Sequence, residues 1–400
     1  MQSGLRIGSI FGIPLQIHAS WLVVVGLITL SNGLEWQTSY PQWGQPLAWG
    51  IGLASALLLF GSVLLHELGH SLVALWQGIK VNSITLFLFG GMASIEKESK
   101  TPGQAFQVAI AGPAVSILLA LLLFGLLPLL PPTGPLAVLA ADLARINLVL
   151  ALFNLIPGLP LDGGQVLKAA VWKITGDRFQ GIRWAARAGA FLGWTAVLLA
   201  FAGVFLLNAP GLLWIGLLGW FGIQNARRYD QMATLQERLL QLKASDAMTR
   251  GFRVVDADLS LEEFTETYLI PAKSPVYFAA ADGRYCGLVE ADAMQDIERS
   301  EWPRQPVRSL TKPLPEIASV TEGESLARVI QRLDAEALGF ITVLTPAGAV
   351  AGVVDRGDLV RTIGLSLGLR FAPEEIARIK AEGDYPPGLQ LGAIAQAIEP

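Results

Sequence analysis

Cysteine and histidine are nearly absent: one cysteine, Cys286, and three histidines in 400 residues. A single cysteine excludes an intramolecular disulfide, so no cross-linked framework holds this chain. Charge is also scarce. Asp, Glu, Lys and Arg make up 16% of the residues against 52% hydrophobic ones, and the mean hydropathy is +0.49, too apolar for an ordinary soluble protein of this length. A net charge of -4 and a pI near 5.5 offer no cationic surface to a phosphate backbone, so nucleic acid is not an expected partner. The first eighteen residues lack a compact apolar core ending in a small-residue cleavage site. No cleavable signal peptide is therefore expected, and the first helix serves as its own insertion signal.

What the chain has instead is a series of long apolar runs before Arg227, with the charges gathered after it. Spans are expected at about 19–34, 48–76, 104–127, 137–156, 188–207 and 211–226, each near the roughly 20 residues a bilayer requires. Loops 35–47, 128–136 and 208–210 hold no Lys or Arg, whereas Arg6, Lys80, Lys97, Lys100, Lys168, Lys173, Arg178, Arg183, Arg227 and Arg228 fall on the other side. The positive-inside rule then places both termini in the cytoplasm. The expected organisation is a membrane-embedded domain over 1–228, a linker over 229–244, a paired module over 245–364 (245–298 and 307–364) and a tail over 365–400.

Two of the histidines stand in His66-Glu67-Leu68-Gly69-His70, inside an apolar stretch where imidazoles and a carboxylate are costly to bury. Helix positions four apart share a face, so His66 and His70 can present two imidazoles to one zinc ion with Glu67 beside them, at the spacing of zinc hydrolases. The plain alternative is an accidental run with self-satisfied histidines, but with this few histidines chance supplies it on the order of one time in a thousand. A catalytic zinc takes three protein ligands and a water. The candidate for the third is Asp162 in Asn154-Leu-Ile-Pro157-Gly158-Leu-Pro160-Leu-Asp162-Gly163-Gly164, which ends the fourth span at the same depth. Its prolines and glycine break the helix, and broken backbone at that depth is buried in protein or lines a wet cavity. The alternative for Asp162 is the N-cap of a helix over 163–175.

Together these two motifs resemble the site-2 protease family of intramembrane zinc metalloproteases. The resemblance implies a six-span arrangement with a catalytic core from the second to fourth helices, cutting the transmembrane segment of a single-span membrane protein. In it His66, His70 and Asp162 hold zinc, Glu67 is the general base, and Asn154 binds substrate or stabilises the developing oxyanion. Residues 81–99 alternate, carry Gly90-Gly91 and are too short to span as a helix. They read as a partly inserted strand or hairpin, whose edge in the family is suspected of pairing with unwound substrate; a surface hairpin is the alternative. Ala111-Gly112-Pro113-Ala114-Val115-Ser116 resembles a Gly-Pro motif of the third span, with Ser116 where many members have Asn. His18, at the entrance to the first span, reads as a fourth ligand of a latent enzyme or as an interfacial histidine bonded to backbone. Asp142 and Arg145, at i and i+3, are expected to form a local ion pair.

Residues 245–363 hold two units of about 55 residues and resemble a tandem CBS pair. That implies ATP or AMP in the cleft, with Asp358 on the ribose. Asp355 and Glu290, however, stand where phosphate-facing hydroxyls are expected, and a carboxylate there repels the anion; a structural or dimerising cap is the alternative. The expected fold class is thus a polytopic α-helical membrane protein, with about six transmembrane helices and a partly inserted β-hairpin, plus a cytoplasmic α/β CBS pair. Expected partners are a single-span membrane substrate and the lipid bilayer, and a homodimer through the CBS pair is left open. A bacterial plasma membrane, or a photosynthetic internal one, is the expected location, with the active site toward the cytoplasm. The competing readings are a CBS-gated metal transporter or channel and an inactive membrane scaffold.

Overall fold

Apolar runs bounded by proline and glycine fold as long helices in the computed structural model, which describes residues 4–88, 90–270, 276–386 and 388–398. Contacts divide the chain into Met1–Ala233 and Thr234–Pro400. The first unit contains α1 (Ser20–Ser39), α2 (Gly44–Trp76), α3 (Pro102–Leu126), α4 (Pro135–Asn154), α5 (Asp162–Thr175), α6 (Arg178–Leu207) and most of α7 (Leu213–Gln241). Among the described residues, four helical segments are long and apolar enough to cross a membrane: Pro41–Trp76, Pro102–Leu129, Pro135–Asn154 and Arg178–Leu207. Helices α1 and α7 also form where spans are expected, but α1 carries Asn32, Glu35 and Gln37, and α7 turns polar after Ile223. The outward faces keep Leu121, Leu122, Leu198 and Phe205 exposed, as a lipid-facing surface does.

Residues 81–99, expected as a partly inserted strand or hairpin, hold β3 (Val81–Phe87) and β4 (Gly90–Ile95), paired antiparallel in a larger sheet. Two N-terminal strands, β1 (Leu5–Ile10) and β2 (Ile13–Ile17), extend it in the order β1-β2-β3-β4. Phe11 and Gly12 join them with φ of 51° and 81°, the double positive φ of a tight hairpin turn. Ile13, Leu15, Val81 and Ile84 pack against Leu68 and Ala74 of α2. Leu68 lies between the two histidines of the motif, so this core helps fix the rotation of α2.

The second unit repeats one pattern. In β5 (Phe252–Asp256), β6 (Val276–Ala281), β7 (Arg284–Val289) and β8 (Thr311–Pro313), strand β6 pairs parallel to β5 and antiparallel to β7. In β9 (Ser319–Thr321), β10 (Phe340–Leu344) and β11 (Val350–Asp355), β10 pairs parallel to β9 and antiparallel to β11. The short α8 (Ala244–Ala247) precedes both sheets; α9 (Leu261–Phe264) and α10 (Leu326–Ala335) cross between the parallel strands, and α11 (Arg356–Ser366) follows β11. The tail folds as α12 (Pro373–Glu382) and α13 (Leu391–Ile398). Its Ile376, Ile379, Leu391 and Ala395 join the core around Leu326, Ile330 and Ile341.

Candidate metal centre

On α2, His66 and His70 lie one turn apart and are 3% and 7% exposed. Asp162 reaches them from the first turn of α5: its Oδ2 is 3.1 Å from His66 Nε2 and 3.3 Å from His70 Nε2, and the two Nε2 atoms are 3.3 Å apart. Leu161, not Asp162, occupies the cap position of α5, and no side chain caps that helix. The capping alternative for Asp162 therefore fails, and its carboxylate points at the imidazoles.

The histidines are held from behind. His70 Nδ1 lies 2.7 Å from the Val108 carbonyl and donates to it, and His66 Nδ1 lies 3.0 Å from Ser116 Oγ. With Nδ1 so occupied, both Nε2 atoms are turned toward each other and the Asp162 carboxylate. Three donor atoms converging at this distance can hold one shared metal ion. A tetrahedral ion with donors at about 2.0–2.2 Å sets them roughly 3.3–3.6 Å apart; the two separations of 3.3 Å meet this, and the 3.1 Å between His66 and Asp162 is slightly shorter. An aspartate carboxyl ordinarily ionises near about 3.9, so the third donor brings a negative charge to the set at neutral pH.

The space for an ion exists because residue 112 is glycine. A Cβ built there lies 2.2 Å from His70 Nε2 and 2.7 Å from His66 Nε2. Glu67 Oε2 accepts from the Ala93 amide of β4 at 3.2 Å, and Asn154 Nδ2 lies 3.4 Å from His66 Nε2. His66, Glu67, Gly91 and Asn154 line one cavity of about 770 Å³, whose remaining wall is largely aliphatic and aromatic.

A charged clasp anchors α5. Lys168 of α5 and Arg178 of α6 place nitrogens 3.0 Å and 3.5 Å from Glu98 Oε2, in the loop before α3. Burial raises Glu98, yet the Lys168 and Arg178 charges hold its carboxyl below the ordinary range. Because the folded value is depressed, this stabilisation is complete above the unfolded value, about 4.3, and is lost as pH falls through the folded one. Melting of detergent-solubilised protein against pH is expected to show an acid-side loss of stability that Glu98→Gln flattens; an unchanged slope would remove the clasp from the account.

Other expected residues lie elsewhere. His18 Nδ1 is 2.8 Å from Ser20 Oγ, and its amide donates to Leu86; His18 is not in the metal-ligating group of the described residues. Asp142 accepts from Ser55 at 3.0 Å and Arg145 reaches the Ala141 carbonyl, so the expected ion pair between them is replaced by a contact across helices. Asp358 belongs to the second unit and is fully buried. Its oxygens are engaged by Lys380 at 2.8 Å, Arg361 at 3.2 Å and Thr249 at 3.3 Å.

Two histidines and an aspartate converging beside a glutamate, on helices of membrane-crossing length, define a membrane metallopeptidase. The chain belongs to peptidase family M50, whose model matches residues 54–142 and 132–196. It is 42% identical over 369 residues to the candidate zinc metalloprotease sll0528 of Synechocystis sp. (strain ATCC 27184 / PCC 6803 / Kazusa), covering 92% of this chain and 97% of that one. It is 31% identical over 368 residues to the candidate zinc metalloprotease Rip3 of Mycobacterium tuberculosis, covering 91% and 93%. Among solved structures, the site-2 protease of Methanocaldococcus jannaschii aligns at 28% identity with a TM-score of 0.40, over 57% of this chain and 95% of that one.

Proposed function

We propose that this chain is an intramembrane zinc endopeptidase that cuts single-span membrane proteins within their transmembrane segments, with six spans and the site facing the cytoplasm. The observation that carries the reading is the convergence of His66 Nε2, His70 Nε2 and Asp162 Oδ2 beside the Glu67 carboxylate on one cavity wall. His66, His70 and Asp162 would hold the ion. Zinc, when bound, supplies Lewis acidity that makes water a nucleophile near neutral pH. Glu67 takes the proton of the attacking water and returns it to the leaving amine, while the Asn154 amide is a donor for the developing oxyanion. Strand β4 ends its sheet, and Gly90 and Gly91 lie on the cavity. An unwound substrate added along that edge would present its backbone beside Glu67.

The test measures bound zinc and cleavage of a single-span membrane peptide by detergent-purified protein, wild type against Asp162→Ala. Loss of a ligand is expected to weaken zinc by more than the roughly 10–100-fold that an outer partner commands, with cleavage lost. Wild type that carries no zinc would sink the reading; zinc with steady metal flux and no cleavage would favour a transporter. Control by ATP or AMP at Asp358 requires Lys380 to leave that carboxylate, so nucleotide and the α12 contact compete. Lys380→Met is expected to tighten AMP binding in calorimetry, and equal heats from both proteins would exclude the competition.

A further inference from the structure

Helices α2 and α4 meet in three polar side-chain contacts at nearly constant offset. Ser55 Oγ donates to Asp142 Oδ2 at 3.0 Å, Asn147 Nδ2 donates to Ser62 Oγ at 2.9 Å, and Asn154 Nδ2 lies 3.4 Å from His66 Nε2. The separations are 87, 85 and 88 residues, the signature of two parallel helices held in one register. At about 1.5 Å per residue the ladder runs roughly 16–18 Å, and its last rung is at the metal centre.

The middle rung is the informative one. Asn147 is fully buried and Ser62 is 7% exposed. One amide hydrogen of Asn147 goes to Ser62 and the other to the Leu143 carbonyl of its own helix at 2.9 Å, so the amide has one orientation. Its Oδ1 has no partner among the described residues. Burying that acceptor costs stability that an apolar pair of similar volume would not. A polar pair kept at such a cost between helices specifies register. Register matters here because Asn154 stands two turns below Asn147, where a displacement of about 1 Å at a reacting centre is worth about 100-fold in rate.

We infer that Asn147, through Ser62, is a positioning residue that sets the axial register of α4 on α2 and so the reach of Asn154 to His66. For catalysis this rests on the protease reading above; for register it does not. The test uses the full-length protein with Cys286, its only cysteine, replaced by serine. Cysteines at the first rung, Ser55→Cys with Asp142→Cys, report register by oxidative cross-linking without metal or substrate. Asn147→Leu is expected to cut the cross-linking yield severalfold, and Ser62→Ala to do so less. The exchange Ser62→Asn with Asn147→Ser, which restores a hydrogen bond on the same rung, is expected to recover it. In the protein with the native first rung, Asn147→Leu is expected to lower kcat for a single-span membrane peptide about 10- to 100-fold with KM within about 2-fold, zinc retained and the exchange again restoring. Unchanged cross-linking in folded Asn147→Leu, or a kcat loss that the exchange fails to restore, overturns the inference; if Asn147→Leu does not fold, Ser62→Ala decides by the same readings. Cross-linking in the Ser55→Cys, Asp142→Cys protein that responds to Asn147→Leu as expected, alongside a wild type that cleaves nothing, would sink the protease reading and leave the register claim standing on its own data.

Discussion

Gly112→Ala is expected to strip the protein of zinc while leaving it folded. The added Cβ would stand 2.2 Å from His70 Nε2 and 2.7 Å from His66 Nε2, inside van der Waals contact of the two atoms that would bind the ion. Relief by rotating the rings is blocked, because His66 is held at Nδ1 by Ser116 and His70 by the Val108 carbonyl, both on the helix that carries the new methyl. Relief by separating the helices is resisted too: Gly69 of α2 presses on α3 so closely that a Cβ there would lie 2.9 Å from the Ala111 carbonyl. Overpacking of this kind costs about 1–3 kcal/mol, which a folded protein can survive, whereas donors displaced by half an ångström or more no longer match the ion's geometry. Zinc affinity is expected to fall at least 100-fold or so, read as metal content after dialysis, with circular dichroism unchanged. Gly125→Ala on the same helix is the control, since a Cβ there meets nothing within 4 Å, and it should retain its metal. Zinc at the wild-type level in Gly112→Ala would show that the donors converge differently from the arrangement described here.

How much of this was legible in the residues follows from the range of the interactions. The histidine pair and Glu67 can be read from spacing, because one helix turn brings them together whatever the rest of the chain does. Asp162 was legible as a candidate through the helix-breaking prolines before it, but its competing role as a cap could be settled only by where α5 begins. The parts contributed by α3 were not readable. Ser116 stood out only as a departure from a family pattern, while Gly112 and the Val108 carbonyl act through a close approach of two helices that has no local signature. The β1-β2 hairpin escaped because its turn is Phe11-Gly12 rather than an Asn-Gly or Asp-Gly pair. The Asp142–Arg145 pairing failed for a related reason: sequence proximity favoured an intrahelical ion pair, and Ser55 of a neighbouring helix supplied the better partner.

The largest loss of activity with zinc retained is expected from Glu67→Gln. The substitution keeps the side chain's length and shape, and the amide oxygen can still accept from Ala93, now 3.2 Å from Glu67 Oε2. Gly91 leaves the room this requires: a Cβ there would lie 2.5 Å from Glu67 Cγ. What disappears is the capacity to take a proton, and general-base removal costs typically 100- to 10,000-fold. His66, His70 and Asp162 are untouched, so zinc stoichiometry should equal that of wild type. The pairing of the two measurements is what discriminates. Zinc lost along with activity would make Glu67 a structural support of the ligands through its place beside them on α2. Activity within tenfold of wild type would require another base, and Asn154, an amide, cannot serve as one. A transporter would predict something else again: no cleavage in either protein and an altered metal flux in the variant, because a carboxylate lining an ion path contributes charge rather than proton transfer. Zinc at parity with cleavage reduced at least 100-fold is the result that only a hydrolytic role for Glu67 produces.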